Sequence, residues 1–138
     1  MESFNKKSIS LELANKLAKV AIEKAIELKI NIAITIVDES TNLVLFNRMD
    51  AAPLMAHDVS RTKAITAAGF GIPTGKPWHD FIKDDPILNK GIPFVKDFSL
   101  IGGGSPIIID DSIIGAIGVS GGHYSEDEQC VKAALEAI

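Results

Sequence analysis

Apolar side chains recur along this chain with two different periods, and the switch between them marks out its elements. Leu11, Ala14, Leu17, Ala18, Ala21, Ala25 and Leu28 fall at helical spacing, with Lys16, Lys19, Glu23, Lys24 and Glu27 on the other side. Ser10 is a good N-cap, so the first helix is predicted from there to about Lys29. The period then drops to two. Ile30, Ile32, Ile34 and Ile36 alternate with Asn31, Ala33, Thr35 and Val37, a β-branched strand whose second face is also fairly apolar, so both faces should be covered. A turn over Asp38–Asn42 leads to a returning strand, Leu43–Met49. A second helix, Leu54–Ala68, carries Ala56, Ser60, Ala64, Ala67 and Ala68, small enough to let it lie close to a sheet or another subunit.

The stretch from Gly69 to Asp97 is proline-rich and too long for a structureless loop in a compact domain. Asp85–Gly91 reads as one short helix, with aspartate as cap, proline in the first turn and glycine at the end. The rest should wrap the surface or an interface, with Trp78 and Phe81 as oligomer anchors. Three strands follow, at Phe98–Ile101, Pro106–Ile109 and Ile113–Val119, the last two joined at Asp110-Asp111-Ser112 as a hairpin. The last helix is expected to open on a capping box, Ser125–Glu128, with Val131, Ala134, Leu135 and Ile138 as its stripe. The order α-β-β-α-β-β-β-α predicts an α+β fold: five mainly antiparallel strands with helices on both faces.

At 138 residues, one domain spanning 1–138 is expected. The formal net charge is −4, and Arg48 and Arg61 are the only arginines, so no basic face for nucleic acid is visible. Cys130 is alone, which leaves no intrachain disulfide and no cysteine metal cluster. The first residues lack the apolar core of a secretion signal, and no apolar stretch is long enough to span a bilayer. A cytoplasmic protein that touches no membrane is the expectation.

Chemistry is suggested by glycine. Gly102–Gly104 precedes the final hairpin and Gly121-Gly122 follows it, and such clusters imply close backbone approach or unusual dihedrals. The bare N–H groups of Ser120-Gly121-Gly122, beside a helix start, suit a carboxylate or a haem propionate; they equally suit a tight strand-to-helix turn. Gly103 and Gly104 either let a flat ligand approach or form a bulge. Arg48 and Lys63 would attract a carboxylate ligand, or pair with Asp38 or Asp50. Of the histidines, His123 follows the glycine turn and is the first choice as an iron ligand, His57 the second, while His79 follows Trp78. Glu126, Asp127 and Glu128 suit iron or acid–base work, but complementing the helix dipole explains them well. No His-x-x-x-His or Cys-x-x-Cys pair exists.

Several strings resemble one family in order along the chain: Ile36-Val-Asp38, Arg48-Met-Asp50-Ala, Lys63-Ala-Ile-Thr-Ala67, Gly103-Gly-Ser-Pro-Ile, Ile114-Gly-Ala-Ile-Gly-Val-Ser-Gly-Gly122 and Asp127-Glu128. Together they are similar to the GlcG/HbpS-like family, the haem-degrading domain family that includes the C-terminal domain of PduO-type proteins. The resemblance implies a profilin-like α/β/α layering, sheet order 2-1-5-4-3, homo-oligomers and, in some members, haem. The family's usual Asp-x-Gly-Gly turn is here Asp38-Glu-Ser-Thr-Asn42, with Asn42 able to take the left-handed dihedral, and its Gly-Gly-Leu-Pro is Gly103-Gly-Ser-Pro106.

The leading reading is a small oligomeric binding protein for haem, another tetrapyrrole or a small anionic metabolite. Its cleft would lie among Ser120–Gly122, Gly103-Gly104 and the second helix, with Arg48 or Lys63 supplying positive charge. The alternative is an enzyme acting on a small carbonyl or hydroxy acid, with Lys63 or Asp127 as acid/base group. A third is a structural oligomer whose glycines serve the fold alone.

Overall fold

Ser10 opens the chain's first helix as its spacing requires: its hydroxyl accepts from the Leu13 N–H at 3.1 Å. In the computed structural model, which describes all residues Met1–Ile138, α1 spans Leu11–Leu28 and stops at Lys29 in a left-handed conformation. Ala14, Leu17, Ala18, Ala21 and Ala25 are its buried stripe, while Leu11, at the frayed start, is exposed. β1 (Ala33–Asp38) and β2 (Leu43–Arg48) follow, then α2 (Ala56–Phe70), α3 (Lys76–Ile82), α4 (Pro86–Gly91), a 3-10 turn at Ile92–Phe94, β3 (Gly104–Ile109), β4 (Ser112–Ser120) and α5 (Tyr124–Glu136). Asp110 and Asp111 both take positive φ, which is the two-residue hairpin turn expected between β3 and β4.

The sheet is antiparallel with order β2-β1-β4-β3. It has four strands, not five, and the missing one is Phe98–Ile101. That segment spends its polar groups elsewhere: the Ser99 N–H donates to Thr66 Oγ1 at 2.8 Å, and the Leu100 carbonyl accepts from Gly75 at 2.8 Å. Phe98 meanwhile stands edge-on to Trp78 at 5.1 Å between centroids. Its apolar run serves a small cluster under α3 and α4, built on Trp78, Ile82 and Ile92, rather than a sheet face. β3 is therefore an edge strand, where Pro106 is tolerated.

Successive residues of β1 face opposite layers. Ile34 and Ile36 join Ile117, Val119 and Ile107 in the main core beneath α1 and α5. Thr35 and Val37 face α2; Val37 packs with Ala64, Ala67 and Ala116, and the Thr35 and Ser60 hydroxyls bond at 2.8 Å. Gly118 and Gly104 are paired in register on this same face. A Cβ on Gly104 would stand 2.5 Å from the Lys63 carbonyl oxygen, and one on Gly118 2.7 Å from the Ala64 nitrogen. The two glycines thus let the α2 backbone rest directly on the sheet.

Two local details differ from expectation. Thr41, at φ +68°, rather than Asn42, supplies the left-handed residue of the β1–β2 turn. That turn is held by Asp38, whose Oδ1 accepts from the N–H groups of Ser40 and Asn42, both at 2.9 Å. And α5 is capped at His123, two residues before Ser125, in a reciprocal box with Glu126.

Candidate functional site

The turn from β4 into α5 already holds anions, and they are the chain's own. The Gly122 N–H donates to Asp127 Oδ1 at 3.0 Å, and the His123 N–H donates to Glu126 Oε1 at 3.0 Å. A Cβ on Gly121 would run into the Asn31 backbone, so Gly121, at φ +147°, marks a close chain crossing. Ser120 is buried at the end of β4. Of the donors that Ser120–Gly122 would offer a ligand, the Gly122 N–H is turned to an internal carboxylate.

Lys63 and Asp127 are brought together, and not with Asp38 or Asp50. Lys63 projects from α2; its Nζ donates to Asp127 Oδ2 at 3.1 Å and to the Val119 carbonyl at 2.8 Å. Their side chains are 1% and 2% exposed. Burial pushes the Lys63 amine down and the Asp127 carboxyl up, each opposed by its partner's charge. A Cβ on Gly103 would stand 2.9 Å from this Nζ, so Gly103, at φ +118°, supplies the gap through which the lysine passes. An amine so engaged has no open side toward a substrate carbonyl.

Arg48 ends β2, exposed, in the row Arg48–Ala33–Ser120 across the sheet. His57 lies exposed in the first turn of α2, edge-on to Phe46 at 4.9 Å. His123 is a cap: its Nδ1 accepts from the Ser125 N–H at 3.2 Å. Accepting there leaves the proton on Nε2, the tautomer opposite to the one that offers Nε2 to a metal. No group of three or more His, Cys, Asp or Glu side chains is placed to hold a bare metal ion.

The open concavity lies on the far side of the Gly102–Gly104 corner. It encloses about 630 Å³ between the start of α3, the Leu100–Gly102 segment and the first turns of α5. Gly75 and Gly102 form a bare-backbone floor; Leu100 and Ile101 are its apolar wall; His79 and Tyr124 face it from opposite helices. Lys76, paired with Asp80 one turn on, and Glu128 separate it from an adjoining cleft of about 360 Å³, which Gly103 and Gly104 line. Of the expected ligand residues, Gly103 and Gly104, both buried, border only the smaller cleft, whereas Lys63 and Asp127 line neither. Lys76 and Tyr124 were not singled out from the sequence, while His79 ranked behind the other two histidines and Glu128 was weighed only with its neighbouring carboxylates. The signals were present: Tyr124 and Glu128 stand four apart on one helix face, and Gly75-Lys-Pro-Trp-His79 has proline in a helical first turn.

Residues 9–136 match a family model described as haem degrading protein HbpS-like. Over 60 residues the chain is 37% identical to an uncharacterized 15.0 kDa protein of the dhaT-dhaS intergenic region of Citrobacter freundii, an alignment taking in 44% of this chain and 42% of that one. The match thus spans about two fifths of that relative's length. The crystal structure of Klebsiella pneumoniae ORFY superposes with a TM-score of 0.89 at 28% identity, covering 99% of this chain and 94% of that one. That of a PduOC–haem complex does so with 0.86 at 25%, covering 95% of both.

Proposed function

This chain belongs to the HbpS-like family, and we propose that it is a binding protein for haem or a similar flat tetrapyrrole, taken up in the cleft between α3 and α5. The observation that carries this reading is His79: an exposed imidazole set in a cleft of about 630 Å³ against an apolar wall. Such a volume is within the range of small-molecule sites, and histidine is the usual protein donor to haem iron. The similarity to a protein crystallised with haem supports the same ligand class.

The residues present fit that group. His79 would hold the iron, Leu100 and Ile101 would cover a ring face, Tyr124 would close the opposite edge, and Lys76 would meet a propionate. Haem bound there would supply an iron centre able to take small ligands or change oxidation state. Glu128, a carboxylate lining the same cleft, would repel propionates and leave Lys76 as their partner. The protein works as one domain, in the cytoplasm, on a small molecule; no helix is long and apolar enough to cross a membrane. It works as a homo-oligomer whose contact would lie on the stretch from α3 to the 3-10 turn; the exposure of Phe81, Ile87 and Phe94, at 64%, 84% and 89%, supports this.

Hemin titration of the purified protein tests the reading. A saturable shift of the Soret band at micromolar hemin is expected, weakened and moved in wavelength by His79→Ala but not by His57→Ala or His123→Ala. No shift, or a His79→Ala titration identical to the native one, overturns it.

A further inference from the structure

Asp127 sits on α5 between the two residues, Tyr124 and Glu128, that this helix gives to the cleft. Its carboxylate is fixed at both oxygens: Oδ1 by the Gly122 N–H at 3.0 Å and Oδ2 by the Lys63 ammonium at 3.1 Å. The ammonium is in turn fixed by the Val119 carbonyl, at 2.8 Å, at the end of β4. Lys63 belongs to α2 and Asp127 to α5, helices on opposite faces of the sheet, so the pair runs from one outer layer to the other past the sheet's end. The passage is Gly103, whose missing Cβ leaves the only room for Nζ: a Cβ there would approach Nζ to 2.9 Å, Val119 O to 2.7 Å and Asp127 Cβ to 3.0 Å.

We infer that Lys63 and Asp127 are positioning residues, a strut through the Gly103 gap that sets the first turn of α5 and with it the Tyr124–Glu128 wall of the cleft. The effect on ligand rests on reading that cleft as the binding site. A pair used only for stability has cheaper forms, since a buried ion pair gains little over well-packed apolar side chains of the same volume. What an apolar pair lacks is direction: the ammonium and the two carboxylate oxygens tie three separate backbone segments to one geometry. Neither side chain touches the cleft, so substitutions here leave every ligand-facing side chain chemically unchanged and act only through its position.

The double substitution Lys63→Met with Asp127→Leu tests this, because it removes both charges together and leaves no unpaired ion in the core. Circular dichroism and the melting temperature should stay near native. Amide exchange should accelerate at Gly122, His123 and Tyr124 while β1 and β4 stay protected, and hemin affinity should fall about tenfold, the usual scale for groups that orient a ligand's protein contacts. Asp127→Asn offers one acceptor oxygen where the carboxylate uses two, so either the Gly122 N–H or the Lys63 ammonium loses its partner, and the same exchange should accelerate. Native exchange at Gly122–Tyr124 in the double variant overturns the strut. So does native hemin affinity in the double variant when the native protein binds hemin. If the native protein takes up no hemin, the ligand reading falls alone, and the exchange comparison still decides the strut.

Discussion

Lys63 is the bulkiest of the fully buried side chains, and an ammonium is the least suited of groups to such a place unless it is paired. Two bonds and a glycine-shaped gap supply what it lacks. A different glycine sets the tightest tolerance in the fold. Gly118 faces α2, and an added methyl would meet the Ser60 carbonyl and the backbone of Ala64, neither of which yields as a side-chain tip does. Gly118→Ala is expected to cost about 1–3 kcal/mol, the range for overpacking, read as a lowered melting temperature; Gly91→Ala, with nothing within 4 Å of its Cβ, is the control and should leave it near native. At this scale the sequence was only half legible. Glycine announces that space is short, but whether backbone, an ammonium or a ligand fills it depends on residues far along the chain, as Ala64 is from Gly118, Lys63 from Gly103 and Asn31 from Gly121.

The helices other than α3 and the two hairpins follow from local patterns because their signals are local: Ser10, Asp85 and the Asp110-Asp111 turn each act within a few residues of themselves. Phe98–Ile101 misled for the opposite reason. Its apolarity is real, but it packs on Trp78, a partner no local pattern reveals. The cap of α5 slid to His123 because an imidazole nitrogen can accept a backbone N–H as a hydroxyl does. The cleft itself is assembled from three separated segments, so its members are unremarkable until the fold joins them. The β1–β2 turn carries a prediction of its own. Burial works to raise the Asp38 carboxyl, but the N–H groups of Asn42 and Ser40 outweigh it and hold it below its ordinary 3.8. A depressed folded value means that stability from this group is present above pH 3.8 and is lost as pH falls through the lower folded value. The stability margin of the native protein over Asp38→Asn should therefore shrink as pH drops below 3.8, measured by thermal denaturation at a series of acid pH values.

Across the whole molecule, the layering sorts surfaces by what still needs a partner. The α1/α5 layer and the sheet are closed over a common core. The stretch from α3 to the 3-10 turn is not: its own cluster is small, and Phe81, Ile87 and Phe94 stand largely exposed beside it. If copies of the chain meet there, Phe94→Glu should give a smaller particle in analytical ultracentrifugation while circular dichroism stays unchanged; an unchanged mass removes this face from the assembly. Trp78 belongs to the same region, 4% exposed, with an indole N–H that finds no acceptor. It is the chain's single tryptophan, and its neighbour in sequence is His79. Its ultraviolet emission is thus an optical gauge beside the proposed site: a porphyrin held anywhere on so small a domain would absorb the emitted light's energy and darken it, so the dimming counts uptake and its loss in the His79→Ala protein tells where the pigment sits.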